Sequence, residues 1–235
     1  MKRFYKLVSS KKEGDGYIIE LDGRPVKTPL KKTLFAPNET LANALIKEWS
    51  EQGEEIIPDT MPLTQLLSTK IDKVNGDRQS LQKPLLNYLD TDLVCYFADH
   101  PPELGVSQEE AWKPHLQWFE TKFGSALKTT TGLAAVKHDP ATHNAVQTYV
   151  DELSDDHFTI LQMLVPLSGS LVLAMAFLEN QLNADEIFAA IRVEETFKAE
   201  IYNEDFYGAD PAQEGKDNTI KRDLKAVQEY RDALR

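Results

Sequence analysis

Residues 160–178 read ILQMLVPLSGSLVLAMAFL, and this stretch decides the fold. It is apolar on nearly every side, so it is either a membrane span or the central helix of a bundle. Pro166, Ser168, Gly169 and Ser170 break the run in two. The second piece, Leu171 to Leu178, is too short to cross a bilayer at the rise of an α-helix. No Lys or Arg lies within the run, and none flanks it to orient a span. The expectation is a buried helix starting near Ser168 or Ser170 with other helices around it, and no membrane insertion. Ser168-Gly169-Ser170 lacks the outer glycines of a nucleophile elbow and reads as an N-cap with close helix packing.

Upstream, the pattern is β. Phe4, Leu7 and Val8 open a strand, Ser9 to Gly16 reads as a polar turn, and Tyr17 to Leu21 is a second strand. Asp22-Gly23 is a two-residue hairpin signal, because that turn requires positive φ. Val26–Pro29 and Thr33–Ala36 are further short strands. Pro25 and Pro29 cannot donate to a ladder and mark an edge. Pro37 to Thr40 starts a helix carrying Leu41, Ala44, Leu45, Glu48 and Trp49 at helical spacing. Met61-Pro62-Leu63-Thr64 leads into another, and Asn75-Gly76-Asp77 punctuates the chain.

From Arg78 onward the periodicity is helical. Leu81, Leu85, Tyr88, Leu89, Asp92 and Tyr96 share a face, with Leu93–Phe97 alternatively a buried strand. Ser107–Phe123 is an amphipathic helix containing Pro114. Gly124–Lys137 is irregular, and Pro140–Leu153 is a helix. Asp185–Tyr202 reads as one helix, Asn203–Asp217 as an acidic loop, and Ile220–Leu234 as a last helix. The expected class is α+β: a small N-terminal β-rich domain over 1–76, then a larger all-helical domain over 77–235 around the buried central helix.

The formal net charge of −12 disfavours nucleic acid as the main partner, since phosphate binding rests on Lys and Arg. The charge is segregated. Residues 1–37 hold nine Lys or Arg against four acids, and residues 179–217 hold eleven acids against three bases. Such an acidic run is either a solvated face or a surface for a basic partner. The single cysteine, Cys95, rules out an internal disulfide and reads as a buried thiol. The opening MKRFYKLVSS has neither the apolar core of a signal peptide nor the composition of a transit peptide. The expected location is a bacterial cytoplasm, or a mitochondrial matrix for a mature form.

No phosphate-cradling glycine loop occurs, and no catalytic constellation, cofactor or metal site is expected. His138-Asp139 with His143 hints at a helical metal-dependent hydrolase. However, Pro140 pushes Asp139 out of helical geometry, and adjacent ligands on a helix need that geometry. Trp49 and Trp112 fall on apolar faces and read as structural.

The order of short motifs carries more. Arg3-Phe4-Tyr5-Lys6 is followed by Leu21 to Pro29, Glu48-Trp49 with Gln52, and Met61 to Thr64 with Thr69 and Asp72. Then come Tyr88, Thr91 to Tyr96, Gln108, Trp112 with Pro114, Trp118, Gly169-Ser170-Leu171 and Val193-Glu194-Glu195. This series resembles the assembly chaperones of the F-type ATP synthase that escort its α subunit in mitochondria and α-proteobacteria. The resemblance implies a β-rich domain joined to a helical one, no catalysis, and a partner in the unassembled α subunit. It places Glu195, with Glu194 and Tyr202 beside it, at the partner contact. Phe197-Lys198 and Tyr202-Asn203 stand where the family tends to Trp-Gln and Trp-Gly, so aromatic character is kept and the glycine is lost. The two-proline hairpin with Arg24 and Lys27 is a second candidate contact, or a structural turn. A generic acidic scaffold is the remaining alternative. Nothing in the pattern requires a dimer, and a monomer is expected.

Overall fold

In a computed structural model of the chain, described over residues 1–202 and 211–235, an antiparallel sheet precedes a helical region. Strands β1 (Val8–Glu13) and β2 (Gly16–Leu21) pair along their whole length, Val8 opposite Leu21 and Glu13 opposite Gly16. The other edge of β2 is shared. β3 (Arg24–Pro25) takes Glu20 and Leu21, and β4 (Phe35–Ala36) takes Tyr17 and Ile18. Between β3 and β4 the chain folds back on itself, with Val26 N donating to the Ile19 carbonyl at 2.8 Å and Ile19 N donating to the Leu34 carbonyl at 3.3 Å, so the edge of β2 passes from one to the other. Gly16 cannot carry a side chain here. A Cβ would collide with both the Ala36 carbonyl and the Phe35 ring.

Helix α1 (Glu39–Ser50) is capped by Asn38, whose side chain accepts from the Leu41 N–H. Helix α2 (Pro62–Thr69) has Pro62 in its first turn and no cap of its own. Glu48 on α1 supplies one. Its carboxylate accepts from Leu63 N at 2.7 Å, Thr64 N at 2.9 Å and the Thr64 hydroxyl at 2.6 Å. A π turn (Lys70–Val74) and α3 (Asn75–Leu86) follow, the latter interrupted by extended Asp77.

The helical region contains α4 (Pro102–Phe123), α5 (Pro140–Glu152), α6 (Asp155–Ser168), α7 (Leu171–Leu178), α8 (Ala184–Ile191), α9 (Val193–Tyr202) and α10 (Pro211–Ala233). Helix α7 is the buried one, with every residue from Leu171 to Phe177 inaccessible. Gly169 at φ 67° ends α6, and the Ser170 hydroxyl then caps α7 by accepting from Leu173 N. α4 packs on α7, and its Trp112 donates to the Ala190 carbonyl at 2.8 Å.

The chain forms two compact units. One comprises Met1–Leu81, Ser154–Ile160 and Ala226–Arg235; the other comprises Gln82–Leu153 and Leu161–Lys225. In the first, Asp156 ties the later segments to the early ones. It lies 2.6 Å from Lys70 Nζ and accepts from the Tyr230 hydroxyl at 2.6 Å. Asp155 meets Arg78 at 2.9 Å, and Asn38 donates to the Ala233 carbonyl.

Five local expectations are corrected. Ser9–Glu13 belong to β1 although polar, because they lie on an exposed edge where pairing, not burial, sets the backbone. The face from Leu81 to Tyr96 is not one helix, since α3 gives way to 3-10 turns at Asn87–Thr91 and Leu93–Cys95. Helix α4 starts five residues early, because Pro102 is accommodated at the first helical position. Residues 185–202 form two helices, broken at Arg192 (φ −112°, ψ 13°). Its guanidinium is held by Glu195 at 3.1 Å and by Asp217 at 2.8 Å. Residues 211–217 are helical, the first turns of α10, while 203–210 of the expected acidic loop lie outside the described residues.

Candidate partner-binding surfaces

The first surface is built on the hairpin after β2. Asp22 (φ 49°) and Gly23 (φ 76°) make the turn. The Asp22 carboxylate accepts from Leu7 N at 2.8 Å and Lys6 N at 3.1 Å, which holds its pKa below the ordinary value. Arg24 and Lys27 are exposed beyond it. The next loop is pinned to the π turn. Thr28 donates to Asp72 at 2.7 Å, Leu30 N donates to the other Asp72 oxygen at 3.0 Å, and Lys32 Nζ donates to the Ile71 carbonyl. Lys27 Nζ donates to the Thr33 hydroxyl at 2.8 Å. The backbone is therefore fixed while the Leu30 side chain stays 64% exposed.

Two clefts flank this loop. One of about 630 Å³ lies among Phe4, Leu21, Arg24, Pro25 and Val26; the other, of about 710 Å³, lies among Pro29, Leu30, Ile56, Pro58 and Met61. Lys27 and Trp49 line both. Trp49 is buried, its carbonyl accepts from the Tyr5 hydroxyl at 2.7 Å, and its ring meets Tyr5 edge-on. Its Nε1–H is buried with no acceptor among the described residues. Phe4 and Ile57, like Leu30, are large apolar side chains left exposed in this unit.

The second surface is acidic. Glu194 and Glu195 are half-exposed in the first turn of α9, where carboxylates suit the free N–H groups. Glu194 accepts from Gln108 Nε2 at 3.1 Å, and the wholly buried Gln108 accepts in turn from Ala98 N. Glu195 is oriented by Arg192, itself anchored on Asp217 of α10. Tyr202 ends α9, and its side chain lies outside the described residues.

The histidine cluster does not converge on a metal. The His138 ring accepts from Lys128 N at 3.3 Å, Asp139 pairs with Lys128 at 2.8 Å, and His143 turns to Asp90 at 2.9 Å. Among the described residues, no group of three or more His, Cys, Asp or Glu could hold a metal ion. Burial pushes the pKa of His138 down and that of the Cys95 thiol up. No described helix is long and apolar enough to cross a membrane.

The ordered motifs now have physical roles. Glu48 caps α2, Gln52 accepts from Ile57 N at 3.0 Å, and Asp92 receives the start of α7 through Val172 N at 2.9 Å. The family described as ATP12 chaperone protein matches over residues 2–120. The chain belongs to the ATP12 chaperone family. Atp12 from Paracoccus denitrificans superposes with a TM-score of 0.88 at 32% identity, covering 100% of this chain and 98% of that one. Atu1473 from Agrobacterium tumefaciens gives 0.90 at 30% identity, covering 100% and 86%. Mitochondrial atp12 of Schizosaccharomyces pombe is 26% identical over 205 residues, 82% of this chain and 70% of its own length. The ATP12 likeness spans both the sheet and the helices, so the α+β class expected from the sequence holds.

Sequence reasoning about this ATP12-family chain missed Leu30, Ile57 and Phe4 as exposed apolar groups, and read Trp49 as structural only. The available signals were an aliphatic residue inside a proline- and lysine-rich turn, and another immediately before Pro58.

Proposed function

We propose that this protein acts by binding, as an assembly chaperone that holds the unassembled α subunit of the F-type ATP synthase until the β subunit pairs with it. Family membership supports the chaperone role. The observation that carries the reading is the N-terminal surface on which Phe4 and Leu30 stand exposed at two clefts. An unpaired subunit exposes an apolar interface that self-associates. A holdase with apolar groups of its own masks that interface, with an affinity low enough for displacement. No catalytic step is needed. The working location is the bacterial cytoplasm or the mitochondrial matrix, with the protein a monomer.

Glu195 is the leading contact of the acidic surface, with Glu194 and Tyr202 beside it, and Arg24 and Lys27 serve the basic one. Arg192 presets the Glu195 carboxylate, so little side-chain freedom is lost on binding. The test is to dilute unfolded α, and separately β, into this protein and follow light scattering and co-elution. The expected result is that α alone stays soluble and co-elutes. Glu195→Lys should keep the melting temperature within a few degrees while weakening α binding about tenfold. Failure to protect α would overturn the function, and unchanged binding by Glu195→Lys would remove that contact from it.

A further inference from the structure

The two clefts beside Trp49 have a chemistry that points to a particular kind of ligand. We propose, resting on the chaperone reading, that together they seat an extended apolar segment of the client flanked by carboxylates, with Trp49 Nε1–H donating to a client backbone carbonyl.

Three independent features converge on that ligand. The first is the apolar rim. Phe4 is 65% and Leu30 64% exposed, and Leu30 is held outward by a loop whose backbone is tied to Asp72. The second is the indole. Trp49 is 9% exposed, yet its Nε1–H has no acceptor among the described residues. A buried donor without a partner is costly and uncommon, and an arriving carbonyl satisfies it. The third is charge. Arg24, Lys27 and Lys73 line the clefts, and none is ion-paired with a described residue. The two carboxylates of the same surface, Asp22 and Asp72, are each occupied by two donors. The three cationic side chains still outnumber these two carboxylates, which leaves net positive charge for the ligand to complement.

The shape favours an extended segment over a helix. Alternate side chains of a strand point to the same face, which suits two clefts flanking one tryptophan. A strand also has carbonyls to offer, whereas those inside a helix are already used.

The test uses the full chain and a fluorescein-labelled octapeptide with four central aliphatic residues and two glutamates at each end. Its control has lysines in place of the glutamates. Wild type should bind the glutamate peptide at least tenfold more tightly than the lysine peptide by anisotropy. Trp49→Phe should weaken binding roughly fivefold to tenfold through the lost hydrogen bond. The Phe4→Asp/Leu30→Asp double variant, altered only at exposed positions, should abolish it. Lys27→Glu, also at an exposed position, should erase the preference between peptides even if Trp49→Phe is poorly folded. Equal binding of both peptides, or indifference to the double variant, would overturn the proposal. So would a dimer in light scattering that the double variant dissolves, which would make a second copy the occupant. The function and the cleft separate cleanly in the α-subunit assay. If wild type does not protect α, the proposed function falls. If wild type and the double variant protect it equally, only the cleft proposal falls.

Discussion

Replacing Asp92 by asparagine and following stability from pH 7 to pH 4 probes how the central helix is held. Asp92 is fully buried and accepts from Val172 N at 2.9 Å and from Val94 N at 3.3 Å, with the Ser170 hydroxyl and Leu171 N–H also directed to it. Burial raises its pKa from 3.8 to about 6, against the opposing pull of those donors. The folded protein therefore takes up the Asp92 proton first. Between about pH 4 and pH 6 it binds up to one proton more than the unfolded chain, so the contribution of this group to stability falls as pH rises through that window. A shift of this size amounts to about 3 kcal/mol, a large part of a typical domain's net stability. Asparagine cannot accept at both carboxylate positions, and one stranded donor costs about 1–3 kcal/mol at pH 7. Having no proton to gain, the variant should fall further behind wild type as pH drops, the gap widening by about 2 kcal/mol between pH 7 and pH 4. Urea melts of both proteins at half-unit pH intervals measure this gap, and the difference cancels the other carboxylates. A gap that stays constant across the range would refute the reasoning, because it would mean that burial does not penalise the Asp92 charge.

Other perturbations test the frame around the two surfaces. Glu48→Ala should leave the Leu63 and Thr64 N–H groups at the start of α2 without their acceptor and cost roughly 2–4 kcal/mol, read as a lowered urea midpoint. Trp112→Phe should strand the Ala190 carbonyl and cost about 1–3 kcal/mol in the same assay. Gly16→Ala should force its Cβ against the Ala36 carbonyl and the Phe35 ring and destabilise the sheet by about 1–3 kcal/mol, seen as a lower melting temperature.

The candidate surfaces were only partly legible in the sequence. Arg24 and Lys27 could be placed on a protruding turn because Asp22-Gly23 and the two prolines act through local backbone geometry. Glu194 and Glu195 could be placed on a helix, but not at its start, because the periodicity runs unbroken from 185 to 202. The exposure of Leu30 and Ile57 was not legible. An aliphatic side chain in a turn points inward or outward according to what its backbone is tied to, and Asp72, which holds Leu30, stands 42 residues away. The Trp49 indole was legible as buried, but its lack of an acceptor depends on neighbours drawn from several segments.

Elements with short-range causes could be read directly from the residues. The all-apolar run split by Gly169 produced a buried α7, Asp22-Gly23 produced the hairpin, and Asn38 produced the start of α1. Each rests on a φ preference, a cap or a periodicity contained within a few residues. Tertiary structure decided the rest. Nothing local reveals that Ser154–Ile160 and Ala226–Arg235 return to the N-terminal unit, since the link is Asp156 meeting Lys70 and Tyr230 across 86 and 74 residues. Nothing local breaks residues 185–202 at Arg192 either; Glu195 and Asp217 hold its guanidinium. Glu48 is likewise spaced as an ordinary helix residue, and it becomes the cap of α2 only because α1 packs beside it. Apart from Arg192 and Glu195, which are three residues apart, these pairings depend on which distant donors and acceptors the finished core brings together.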